Sequence, residues 1–188
     1  MLKQSTLLLG ILSTGLLCST AQAAWTLNSE QSSLHFATVK NATVSEVHHF
    51  KTLSGAISDD GKASLTIKLD SVDTANPIRD ERMQKQLFET EKHPDASFNI
   101  DLGSEAVKSG AQTIVGTLSL HGVEKEVSTQ VFVEQDDKQI TVSSLAPVVI
   151  AAPDYGLDGG AEVLRELAAL TSINVTVPAS FRLVYDKQ

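Results

Sequence analysis

The sequence predicts a mainly β fold: an antiparallel sheet of about eight strands, curled into a barrel with space inside and carrying two short helices. Three observations predict it. Apolar and polar residues alternate with a period of two through most of the chain, which puts successive side chains on opposite faces of a strand. Short polar turns join most of these segments, so neighbouring strands run antiparallel. The apolar set mixes small with large, with Ala37, Ala63, Gly116, Ala146 and Ala179 among leucines and phenylalanines. An eight-stranded sheet with one apolar face buries it as a sandwich or as a closed barrel. The small residues and the single Trp favour a barrel with room inside.

The chain opens on a leader. Lys3 supplies a positive charge, Leu7 to Leu17 form an apolar run, and Ala21-Gln22-Ala23 is the small-x-small pattern of a signal peptidase site. The run is shorter than the roughly 20 residues that cross a bilayer. Residues 1–23 are therefore expected to be a secretory signal peptide, and residues 24–188 one domain in the periplasm. Cys18, the only cysteine, leaves with the leader because Leu17 stands where a lipoprotein signal has a small residue. The exported domain then has no disulfide and no thiolate chemistry. The formal charge of -8 drops by one more unit when Lys3 is lost, which argues against nucleic acid and against docking on anionic lipid.

The strands follow in order. Ser33 to Lys40 places Leu34 and Phe36 on one face, and Val47 to Ser58 ends at the turn Asp59-Asp60-Gly61. Ala63, Leu65, Ile67 and Leu69 alternate with polar residues, as do Phe98, Ile100 and Leu102. Ile114, Gly116, Leu118 and Leu120 form the next strand, then Val127, Thr129, Val131 and Val133. Ile140, Val142, Ser144 and Ala146 come after the turn Gln135 to Lys138. The last strand has Ile173, Val175, Val177, Ala179, Phe181, Leu183 and Tyr185 on one face, with Pro178 marking a bulge or an unpaired stretch. Two helices interrupt the pattern. Asn76-Pro77 is an N-cap followed by a proline at the first helical position, opening a helix over Ile78 to Thr90 with Met83 and Leu87 on one face and Phe88 beside them. Gly160 to Leu170 is the second, with an apolar stripe of Val163, Leu164, Leu167 and Leu170.

Five stretches then carry a resemblance. Leu69-Asp70-Ser71-Val72-Asp73-Thr74 is followed by Ile78-Arg79-Asp80-Glu81-Arg82-Met83, and these by Leu87-Phe88-Glu89-Thr90 and His93-Pro94. Together with Val115-Gly116-Thr117-Leu118-Ser119-Leu120-His121-Gly122, this resembles the YceI family. The resemblance covers residues 24 to 186 in order and spacing. It implies an extended, lipocalin-like eight-stranded barrel, usually periplasmic, that encloses an isoprenoid or other long amphiphile. The chain departs from the family pattern in having Leu87-Phe88 where an aromatic pair is common, and in its second helix.

Candidate catalytic residues do not emerge. Gly-x-Ser-x-Gly is absent and no carboxylate pair stands out, so a non-enzymatic role is expected. His35, His48, His49, His93 and His121 lack helical ligand spacing and cysteine companions, and read as surface or hairpin histidines without a metal site. Asp80, Glu81, Arg79 and Arg82 suit salt bridges and caps at the helix start. The candidate ligand-binding residues are apolar: Phe36, Phe50, Leu65, Ile67, Met83, Leu87, Phe88, Phe98, Ile100, Leu118, Leu120, Val131, Phe181 and Leu183. For each of them core packing is the competing role. Arg79 and Arg82, the cations nearest the first helix, are the candidates for a ligand head group. The expected function is binding, carriage or storage of a quinone or polyprenyl compound, with no other cofactor. Two alternatives stand beside it: an accessory protein that delivers quinone to a membrane cytochrome of the b type, and a His-dependent metal-binding protein. A homodimer is compatible with either.

Overall fold

The computed structural model describes residues 23–103 and 107–188. The leader predicted over residues 1–23, with Cys18, lies outside the described residues apart from Ala23. Twelve strands form one antiparallel sheet. In chain order they are β1 (Ala23–Leu27), β2 (Ser33–Lys40), β3 (Val44–Phe50), β4 (Leu53–Ser58), β5 (Lys62–Lys68), β6 (Val72–Asp73), β7 (Asp95–Asp101), β8 (Gly110–Leu120), β9 (Val123–Gln135), β10 (Gln139–Ser144), β11 (Val148–Ala151) and β12 (Thr176–Lys187).

Pairing reduces these twelve to eight staves. β1 and β2 both lie along β12, β3 and β4 lie along β2 and β1, and β6 continues β5 by pairing with β3. β10 and β11 share the other side of β12. Each stave therefore pairs with its neighbours in sequence, from β1/β2 through β3/β4, β5/β6, β7, β8, β9 and β10/β11 to β12. Trp25↔Lys187 and Phe36↔Ala179 join the last stave to the first. The product is an eight-stranded antiparallel barrel with two short helices, as the alternation predicts. Closure removes the free edges that an open sheet would expose.

The breaks within staves went unseen in the sequence. Thr52 donates its backbone N–H to Ser71 Oγ, which bonds Lys68 O in turn, so the ladder is interrupted between β3 and β4 by a side-chain bond. Pro178 pairs with Val149 of β11 on one side, whereas the ladder to β2 stops at Ala179. The missing donor thus falls where a stretch is unpaired. Two of the five small residues are not interior: Ala37 has the opposite parity to Leu34 and Phe36, and Ala146 is exposed in the loop before β11. Gly116 is interior, but the Phe98 ring fills the space over it; a Cβ there would lie 2.6 Å from the ring.

Both helices connect an odd-numbered stave to an even-numbered one, so they cap the same end of the barrel. α1 runs over Pro77–Arg82 and passes into a π turn at Met83–Leu87. Asn76 Oδ1 accepts from the N–H groups of Ile78 and Arg79, as its N-cap position predicts. The helix stops at Phe88 and not at Thr90, because Glu89 turns into the left-handed region at φ 47°. The wider π turn, closed by Phe88 N–H to Met83 O, brings Met83 and Phe88 onto one buried face. α2 occupies Asp158–Leu167, shifted from the predicted Gly160 to Leu170. The predicted stripe is also corrected: Val163 and Leu167 are exposed, and the inward face is Leu157, Ala161 and Leu164.

The helices meet at Gly160, where a Cβ would collide with the carbonyl of Gln86 and approach Leu87 Cα to 2.8 Å. Gly160→Ala should cost about 1–3 kcal/mol through overpacking. Thermal unfolding of the variant is expected to show a Tm lower by several degrees.

Candidate ligand cavity

The alternating side chains that the barrel turns inward do not fill it. A cavity of about 750 Å³ runs along the axis, lined by residues of every stave and by both helices. At one end it reaches Leu102, Lys108 and Gln112; at the other, Asn76, Arg82 and Asn174 beneath the helical cap. At about 30 Å³ for a water-sized group it has room for roughly 25 such groups, towards the upper part of the range of small-molecule sites.

The apolar residues named from the sequence all map onto this wall. Phe36, Phe50, Leu65, Ile67, Phe98, Ile100, Leu118, Leu120, Val131, Phe181 and Leu183 all line the cavity from the staves, and Met83, Leu87 and Phe88 from the cap. Val131 is the one whose role is packing in the first place, since it is wholly buried. Phe36 and Phe50 lie 5.3 Å apart between ring centroids, and Phe50 and Phe88 5.9 Å. This aromatic run carries the wall into the cap. It fits the tilted geometry that aromatic pairs prefer.

Polar side chains are confined mainly to the capped end. Arg79 donates to Thr74 Oγ1 and Thr74 O at 2.9 Å each, and to Glu46 Oε2 at 2.6 Å. Glu46 also pairs with Lys40 at 2.8 Å. Lys40, with Arg79 beside it, holds the Glu46 carboxyl below its ordinary range. Asp80 Oδ1 accepts from Thr74 N–H and from Thr74 Oγ1. Arg79 and Asp80 thus clamp the start of α1 to β3 and β6, and the Arg79 guanidinium is spent within the protein. Arg82 makes one hydrogen bond among the described residues, to Leu167 O at 3.2 Å. It is also a lining residue of the cavity.

His48 corrects the sequence reading. It is buried, not a surface residue, and faces the cavity while His49 points outward beside His35. Its ring packs on Phe36 at 5.3 Å, its Nε2 shares a hydrogen bond of 3.0 Å with Thr38 Oγ1, and its Nδ1 has no partner. Burial, reinforced by the charge of Arg79, lowers its pKa below 6.5. Both effects favour the neutral ring. Thr129 Oγ1, on the opposite half of the barrel wall, is also buried, cavity-lining and unpartnered. Parity placed Thr129 inward, but period two says nothing about whether an inward hydroxyl finds a partner.

Outside the cavity the fold gathers three residues that the sequence reading kept apart. His93 and His121, 28 positions apart in sequence, bring their rings to 4.4 Å, and Glu89 joins them. Chain spacing carries no signal for this group. The β8–β9 hairpin and the turn after the π segment meet only in the folded barrel.

Similarity to known proteins agrees with this architecture. A polyisoprenoid binding domain from Saccharophagus degradans implicated in plant cell wall breakdown is 36% identical, with a TM-score of 0.83 over 89% of this chain and 100% of that one. BcnA of Burkholderia cenocepacia shares the fold at 19% identity and a TM-score of 0.68, over 84% of this chain and 98% of its own. The UPF0312 protein plu2095 of Photorhabdus laumondii is 37% identical over 86 residues, 42% of this chain and 43% of that protein, so less than half of that relative is spanned. Residues 25–184, all but the ends of the barrel, match the YceI-like domain, and the chain belongs to that family.

Proposed function

We propose that this protein binds and carries an isoprenoid lipid, a quinone or polyprenyl compound, in the space between the membranes of the cell. The observation that carries the reading is the cavity: about 750 Å³ of mostly apolar space along the barrel axis, with most of its polar groups near the ends. Similarity to the polyisoprenoid binding domain supports it. So does the predicted export signal, since a long apolar molecule needs a soluble container to cross an aqueous compartment. No described helix is long and apolar enough to span a bilayer.

The energetics are sufficient. Roughly 25 buried ligand atoms at about 0.3 kcal/mol each amount to about 8 kcal/mol, which corresponds to about micromolar affinity. The polar atoms supply direction. A chain that enters under the cap meets Arg82 and His48, and an unmade hydrogen bond at a buried group costs about 1–3 kcal/mol. His48 is adaptable because the Thr38 hydroxyl can donate to Nε2 or accept from it. Nδ1 then presents a proton or a lone pair to the ligand head. The same pair is no hydrolytic dyad, since nothing orients the ring from its Nδ1 side. The protein acts as a carrier and not as an enzyme.

Organic extraction of the purified protein, followed by mass spectrometry, is expected to release an isoprenoid. Ala179→Trp, which projects an indole between Phe36 and Val148 across the tunnel, should lower bound lipid at least about tenfold, or 1.4 kcal/mol, and leave the barrel folded. A protein that yields no lipid and takes up no added polyprenol would contradict the proposal.

The neutral His48 has a consequence for pH. Its folded pKa lies below the 6.5 of the unfolded chain. On acidification the unfolded state takes up the proton first, so stability is full above about pH 6.5 and declines as pH falls towards the folded pKa. The Tm measured between about pH 7 and pH 5 should fall, ahead of the carboxylate range, and His48→Gln should flatten that slope.

A further inference from the structure

We propose that Glu89, His93 and His121 form a zinc site on the outer side of the capped end, separate from the lipid cavity. Each residue offers one ligand atom, and all three atoms lie within 4.8 Å of one another. Two imidazoles and a carboxylate suit a borderline-soft divalent ion such as Zn²⁺, and three protein ligands leave a fourth position for water.

The hydrogen bonding of His121 carries the argument. Its Nδ1 lies 3.2 Å from Tyr155 O, a backbone carbonyl that can only accept. The Nδ1 proton is therefore fixed there, and Nε2 presents its lone pair. Yet Nε2 faces Glu89 Oε2, also at 3.2 Å. In the neutral ring two acceptors confront each other with no proton between them. A second ring proton or a metal cation between them satisfies both, so a metal ion would take the place of that proton. The separation already matches the edge of a tetrahedron with bonds of about 2.0 Å, roughly 3.3 Å. A ring nitrogen held by a backbone carbonyl while the other binds metal is also the usual outer-sphere arrangement of zinc histidines.

His93 completes the set. Its ring is tilted by 57° to that of His121 and not stacked on it, so the two rings can aim at a common point. It sits against Gly122, where a Cβ would lie 3.1 Å from His93 Cε1 and where φ is +78°. The hairpin tip is thus shaped to admit the imidazole. Glu89 Oε1 is held by Lys92 at 2.6 Å, which leaves Oε2 for the ion. Beyond this hairpin, Asp154 of the 152–155 turn is paired with Lys125 of β9 at 2.7 Å.

An ion here would tie three segments together: the turn after the π segment, the β8–β9 hairpin and the 152–155 turn that leads into α2. Phe88 and Leu120, each one residue away from a ligand, line the cavity. Zinc would thereby fix the cap to the barrel wall without entering the lipid site.

The test uses the full exported domain, stripped with a chelator and titrated with ZnCl₂ by calorimetry, with metal content read by elemental analysis. One zinc per chain is expected, with a rise in Tm that grows with zinc concentration. Co²⁺ in its place should give the visible bands of a four-coordinate site. His93→Phe keeps the ring contact and Glu89→Gln keeps the shape, so both should fold. Each should weaken zinc binding roughly 100-fold or more, beyond the effect of losing an outer-sphere partner. Sub-stoichiometric zinc in the wild type, or wild-type affinity in either variant, would overturn the site.

Discussion

Closure of the sheet through β12 is the constraint on which everything else depends. This strand pairs with β10 and β11 on one side and with β1 and β2 on the other. Once it does so, the inward parity of all eight staves is fixed, because a slip of one residue would turn every apolar side chain outward. Eight strands enclose a space just wide enough to be filled by side chains or to hold one small ligand. Ala63 and Ala179 on the inward set tip the balance toward the second outcome. The cavity is a consequence of strand count and of where small side chains fall.

The cap depends on polar chemistry for a related reason. Apolar side chains at the capped end face the cavity, so they cannot also hold the helices to the barrel by burial alone. Arg79, Glu46, Lys40, Thr74 and Asp80 supply that attachment through charge-assisted bonds between α1, β2, β3 and β6. The four charged groups do so while only half-buried, where the cost of desolvating charge is modest. Arg82 and His48 remain turned toward the cavity.

The sequence shows the barrel well because period two is a direct record of a two-faced strand, and the same parity places Phe36, Phe50, Phe98 and Phe181 inward. It shows the N-cap at Asn76 because the capping bond is local. It fails where geometry departs from ideal periods. The π turn moves Phe88 onto the face of Met83, and nothing in Met83 to Leu87 marks a five-residue repeat. The stripe on α2 misleads because Val163 and Leu167 are apolar but face outward. His48 and Thr129 were unreadable as cavity polar groups because lack of a partner is a property of the fold around them. Glu89, His93 and His121 share no element and no spacing.

A barrel built this way accepts a standing loss. Side chains that line an empty space give up dispersion contacts that a filled core would supply, and His48 and Thr129 leave buried polar atoms without partners. The backbone ladder offsets part of this, since it closes the ring without reference to what lies inside. A ligand that fills the tunnel recovers the rest and binds only the folded state, so it adds stability in proportion to the logarithm of its concentration. The features that make the empty barrel less stable than a packed one are those that make it bind. Selection for binding and selection for packing therefore act on the same side chains in opposite directions, and the small residues on the inward faces of β5 and β12 mark where binding prevails.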